Sequence, residues 1–251
     1  MQRGNVQYRA HHSIEVLGIR FNKVNLTTAV EQILHWVSEK SRRMVITAGP
    51  EFVMHAERDK QLKKMAFVAD LVTPDGIGVL WAAKRIGNAK LERVTGVELG
   101  EALLQTAQTR NIPLRVYILG ARGDSLAHCL DSFRTAYPSV IFAGRDGYFE
   151  NHEWSQVKQE IEAFQPDVWF VGLGQPRQEK LIFESLAGLP PCVGIGVGGS
   201  IDVWSGVVQR APKVVQRVHL EWFYRLVREP SRWKRQLALP RFAWKVVTKR
   251  S

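Results

Sequence analysis

The sequence is short of nearly everything that would mark a secreted, metal-binding or membrane-spanning chain. It holds two cysteines, Cys129 and Cys192, with no CxxC and no histidine placed to join them. Both read as reduced core thiols, and their scarcity suits a reducing compartment. No DxD, HxH or CxxC pair occurs, so no metal is expected. No run approaches the roughly 18 apolar residues that cross a bilayer, and MQRGNVQYRAHHSIEV has no signal-peptide apolar core. Insertion or export by those routes is not expected. There is no GxxxxGK[ST] loop, and GLGQPR lacks the third glycine of the dinucleotide fingerprint and comes late, which disfavours NAD. RNP, KH and zinc-finger patterns are absent too.

What the chain does have is a divided charge. Of its net +11, residues 213–251 carry eleven Lys or Arg against two acids, Glu221 and Glu229, leaving the body at +2. With 251 residues and 45% apolar content, one well-formed core is the expectation.

Along residues 1–212, apolar runs alternate with amphipathic stretches at roughly 25 to 30 residues per unit, the pattern of a parallel sheet with helices on both faces. Ile14–Phe21 reads as the first strand, followed by a helix capped by Thr27 or Thr28. Later strands fall at 43–48, 71–74, 114–119, 140–143, 168–171 and 192–197. The expected fold is α/β: a doubly wound, mainly parallel, Rossmann-like sheet forming a catalytic domain over 1–212, with a helical appendage over 213–251. Prolines 230 and 240 are expected to cut that appendage into three helical pieces carrying Trp222, Trp233 and Trp244. A basic, tryptophan-bearing tail suits an anionic partner. The near-neutral body favours a lipid surface over nucleic acid.

Strand ends are where such sheets bind ligands. Asp75, between Pro74 and Gly76 after an apolar strand, is placed either as a general base or as a helix cap. Thr47 ends a neighbouring strand, and Arg93 lies in a loop. Glycine-rich turns at 120–123, 144–147, 172–174 and 196–199 offer backbone N–H groups to an anion or are simply tight βα turns. With no metal pair present, a diphosphate would be met by such amides or by arginines, and Arg225, Arg232 and Arg235 are spaced to share a helix face.

Taken together, VITAGPE with Thr47, PDGIG at 74–78, Arg93 before VTG, DGYF at 146–149, GLGQPRQE at 172–179, GVGGSIDVWSG at 196–206, RAPK at 210–213 and EWFYRLVREPSRWKRQ at 221–236 resemble the WecG/TagA/CpsF glycosyltransferases (glycosyltransferase family 26). The resemblance implies a UDP-sugar-dependent hexosyltransferase. It would move N-acetylmannosamine or its uronic acid, with inversion, onto undecaprenyl-diphosphate-linked N-acetylglucosamine in teichoic acid or exopolysaccharide synthesis. It further implies peripheral attachment at the cytoplasmic face of the plasma membrane, and an oligomer that gives way to an active monomer. Asp75 is then the base, and Thr47, Arg93 and Gln178 position sugar and acceptor. Arg225, Arg232 and Arg235 stabilise the departing UDP, and no metal or other cofactor takes part. Gly120, Asp146, Gly172, Gly174, Gly199 and Asp202 complete the expected substrate site. In one place the sequence departs from the family, with Gly49 where the strand-end motif commonly has asparagine. The rival reading is a non-catalytic nucleotide-binding module tethered by its tail.

Overall fold

The computed structural model describes residues 13–209 and 237–248, with 211, 212, 215, 223, 224, 226 and 233 between them. The expected first strand is two: β1 (Ser13–Val16) and β2 (Ile19–Asn22) form an antiparallel hairpin. The chain reverses at Leu17 (φ 49°) and Gly18 (φ 84°), two successive left-handed residues of the kind that match the twist of paired strands. Asn22 then accepts from the Val72 N–H at 2.8 Å, so the hairpin covers a sheet edge that would otherwise lie open. Helix α1 (Leu26–Ser38) follows. Its cap is Asn25, not Thr27 or Thr28. Thr28 instead completes a reciprocal capping box, accepting from the Asn25 N–H at 3.0 Å while Asn25 accepts from its own at 2.8 Å.

The main sheet contains β3 (Arg43–Ala48), β4 (Leu71–Pro74), β5 (Leu114–Gly120), β6 (Val140–Arg145), β7 (Val168–Gly172) and β8 (Val193–Gly196). All neighbours are parallel, in the order β4-β3-β8-β7-β5-β6. The further helices whose bounds lie within the described residues are α2 (Pro50–Arg58), α3 (Lys60–Val68), α4 (Ile77–Gly87), α5 (Gly96–Thr109), α6 (Gly123–Ala136), α7 (Trp154–Phe164), α8 (Arg177–Ser185), α9 (Ser200–Trp204) and α10 (Ala238–Thr248).

Side chains alternate across the sheet, so both faces are apolar and both are covered. Met44, Ile46, Trp169 and Val171 face one layer, where Phe52, Met65, Val79, Ile161 and Ile182 come from α2, α3, α4, α7 and α8. Val45, Val116, Phe170 and Ile195 face the other, with Ile33, Leu103, Leu130 and Ile201 from α1, α5, α6 and α9. The chain leaves β7 toward the first layer but leaves both neighbours, β5 and β8, toward the second. It diverges again between β8 and β3. This opens a crevice at the carboxyl ends of the central strands, the switch point of a doubly wound sheet.

Helix α10 belongs to the first layer. Phe242 and Val246 are 2% and 1% exposed and join that core, and α10 packs against α2 and α4. Pro240 sits in the first turn of α10, where no intrahelical N–H bond is lost, and so falls at the start of a helical piece; Pro230 and Trp222 lie outside the described residues.

Candidate active site

A cavity of about 1360 Å³ occupies the crevice. It exceeds the roughly 300 to 1,000 Å³ usual for one small ligand. Two unlike walls bound it.

The first wall comes from β3, β4 and the helices after them. Thr47 is buried, and its hydroxyl donates to the Gly196 carbonyl at 2.8 Å, joining β3 to β8 at the cavity floor. Gly49 caps α2, and a Cβ there would lie 2.7 Å from the Asp75 carbonyl oxygen. The two strand ends are drawn together by Asp75 N–H donating to Ala48 O at 2.9 Å. A larger residue at 49 would push them apart. Asp75 lines the cavity, and the N-cap of α4 is Gly76, one residue further on. Arg93, half-buried on the rim, is held by Glu98 at 2.8 Å; Glu98 also accepts from the Thr95 hydroxyl at 3.0 Å, so the cap of α5 fixes the arginine. Ile77 and Trp81 of α4, with Leu239, Pro240, Phe242 and Ala243 of α10, add an apolar side to this wall.

The second wall is built from the turns after β5, β6, β7 and β8. Gly172, Gly174, Gln178, Gly199 and Asp202 all line the cavity. Gly120 and Asp146 stand behind the lining: Gly120 packs against the Gly172 carbonyl, and Asp146 accepts from the Tyr148 N–H at 2.9 Å, shaping the loop. The turn expected at 144–147 is shorter than that, because Gly144 and Arg145 continue β6 in register with Ile118 and Leu119. Arg145 pairs with Glu160 at 2.5 Å and Glu153 at 3.3 Å beneath the 146–153 loop. Arg177 stacks over Phe149, 5.2 Å from its ring centre, and closes the wall.

Several lining groups escaped the sequence reading. Glu51, Trp81, Arg177, Glu150 and Glu153 reach the cavity; Glu51 and Arg177 lay in blocks that sequence had singled out, VITAGPE and GLGQPRQE, and the other three did not. Beside Gln178, Glu179 is fully buried. Burial pushes its carboxyl up to about 7, the Gln178 amide pulls the other way, and the Glu51 charge adds slightly to the rise. Burial likewise pushes the Cys129 and Cys192 thiols up to about 12, as inert core thiols should be. Arg225, Arg232 and Arg235 lie outside the described residues. Among the described residues, no group of three or more His, Cys, Asp or Glu side chains is arranged to hold a metal, and no helix is long and apolar enough to cross a membrane.

A doubly wound parallel sheet with a two-walled cavity at its switch point places the chain among α/β proteins that bind ligands at the carboxyl ends of their strands. Its membership is narrower: the model of the glycosyl transferase WecG/TagA/CpsF family matches residues 14–251, and the chain belongs to that family. It is 35% identical over 225 residues to an N-acetylglucosaminyldiphosphoundecaprenol N-acetyl-beta-D-mannosaminyltransferase of Bacillus subtilis (strain 168), covering 89% of this chain and 86% of the relative. A Staphylococcus aureus (strain MW2) protein of the same name is 30% identical over 235 residues, covering 93% and 91%. The chain is therefore a glycosyltransferase. The binding-module reading gives way to that membership.

Proposed function

We propose that this enzyme transfers N-acetylmannosamine, or its uronic acid, from UDP to undecaprenyl-diphosphate-linked N-acetylglucosamine, inverting the anomeric centre. The observation that carries the reading is Asp75 in the lining of a cavity large enough for two substrates, in a chain whose relatives are named as N-acetylmannosaminyltransferases of N-acetylglucosaminyldiphosphoundecaprenol. The glycine-lined wall cradles the nucleotide. Amides and helix starts at Gly172–Gln178 and Gly198–Asp202 suit a diphosphate. The apolar side formed by α4 and α10 suits the lipid-linked acceptor.

In the reaction, Asp75 removes the acceptor hydroxyl proton as that oxygen attacks the sugar's C1. The C1–O bond to UDP breaks, and the diphosphate takes the electron pair. Arg225, Arg232 and Arg235 meet its growing charge, in a role that calls for no metal. Arg93 holds sugar and acceptor in line, and Thr47 and Gln178 do so through the strand end and the turn they brace. The basic segment over 213–251 binds an anionic membrane surface, where each Lys or Arg near the leaflet contributes about 1 kcal/mol.

The test is UDP release from candidate UDP-sugars with a short-chain lipid diphosphate acceptor. Release with UDP-N-acetylmannosamine or its uronic acid is expected. Release with neither donor would overturn the reading.

A further inference from the structure

Glu179 is a glutamate in the first turn of α8, where such residues ordinarily face water and favour the helix dipole. Here it points inward. It is fully buried, its Oε1 accepts from Gln178 Nε2 at 2.8 Å, and its Oε2 meets no hydrogen-bond partner among the described residues. Gln178, equally buried, accepts through its own Oε1 from the Gly198 N–H at 3.0 Å. The three groups make one line from the interior of α8 to the turn after β8. Space for that line exists because residue 196 is glycine: a Cβ there would fall 2.7 Å from Gln178 Nε2 and 3.3 Å from Glu179 Oε1.

The orientation of the Gln178 amide follows from both ends. Only with Nε2 toward Glu179 does its oxygen face the Gly198 N–H. A reversed amide would set an N–H against an N–H in a buried place, leaving both unsatisfied. A buried carboxyl is costly to keep, and this one stands directly behind Gln178, which lines the cavity. We infer that Glu179 is a positioning residue: its carboxyl fixes the Gln178 amide, and through it the Gly198 turn, in the orientation that receives the donor diphosphate.

This inference rests on the proposed UDP-binding role of the second wall, and the experiment separates the two. UDP affinity is measured for the full chain and for Glu179→Gln and Glu179→Leu, with hydrogen exchange at the Gly198 amide as a second readout. The glutamine variant retains an acceptor oxygen for Gln178 and is expected to bind UDP within about twofold of the parent. The leucine variant is expected to bind at least tenfold more weakly and to expose the Gly198 amide to exchange, while remaining folded. If the parent chain binds no UDP, the nucleotide assignment of the wall fails. If the parent binds but the folded leucine variant binds equally well with Gly198 still protected, the positioning role is overturned. Equal losses in both variants would also overturn it, because the charge and not the acceptor would then matter. Should the leucine variant not fold, Glu179→Met repeats the comparison; failure of both would make Glu179 a folding requirement and overturn a positioning role.

Discussion

The two walls of the cavity are made by opposite means. On the β5–β8 side the turns present backbone, and the polar side chains are already engaged with one another: Gln178 with Glu179 and Gly198, Gln175 with the Thr47 carbonyl, Arg177 with Phe149. On the β3–β4 side the cavity meets side chains, with Asp75 and Arg93 beside the apolar residues of α4 and α10. A wall fixed before its ligand arrives needs little reorganisation to hold an anion. A wall of side chains supplies the group that reacts and the surface that discriminates. In the proposed reaction, binding and chemistry therefore fall to different halves of one sheet edge.

The sharpest way to break this division is Asp75→Asn. Transfer should fall by about 100- to 10,000-fold, the usual worth of a general base, while UDP affinity stays within about twofold. Steady-state turnover and calorimetric UDP titration check both halves; near-normal turnover, or lost UDP binding, would contradict it.

Next in size is the apolar wall. Phe242→Ala should cost about 3 to 5 kcal/mol in denaturant unfolding, because it empties a site 2% exposed in the shared core. A loss below about 1 kcal/mol would show that α10 is not held where it packs here.

The pH dependence of stability then probes the fixed wall. The Glu179 carboxyl sits at about 7 when folded, above the ordinary glutamate value of 4.5. The folded state thus binds the proton more tightly, and the stability this group contributes falls as pH rises from about 4.5 through 7. Glu179→Gln removes that slope, so above pH 7 the variant should be the more stable of the two by up to about 3 kcal/mol. Melting curves of both proteins between pH 5 and 8 test the sign. The reading includes Glu51, which faces Glu179 and lies 3.8 Å from His55.

The smallest effect is expected at Trp81, 40% exposed on the acceptor side. Trp81→Ala should raise the acceptor KM by roughly three- to tenfold, from about 1 kcal/mol of lost apolar contact, and leave the donor KM unchanged. A change confined to the donor KM would reverse the assignment of the walls.

Much of this was legible beforehand because strands and turns write themselves locally. The run ending at Thr47, the Pro74-Asp75-Gly76 corner and the glycines after Val171 and Val197 announce strand ends, and the sheet brings their lining residues to one cavity. The hairpin at Leu17-Gly18 was missed because Ile14–Phe21 reads as one apolar run when the lone glycine is passed over. Gly144 looked like a turn because glycine is ambiguous, whereas here it lets β6 pass close to the Ile118 carbonyl. Glu179 was invisible for a deeper reason: a glutamate near a helix start belongs at the surface by every local rule, and only the packing of α8 on β8 turns it inward.

The docking of α10 ties the far end of the chain to the folding equilibrium of the body. Drawing that helix away exposes Phe242 and Val246, so any ligand that prefers α10 displaced must work against core burial, and any that prefers it seated adds to the stability of the whole. The melting temperature of the sheet therefore serves as a gauge of events at the terminal helix. A partner that never enters the cavity can be read there.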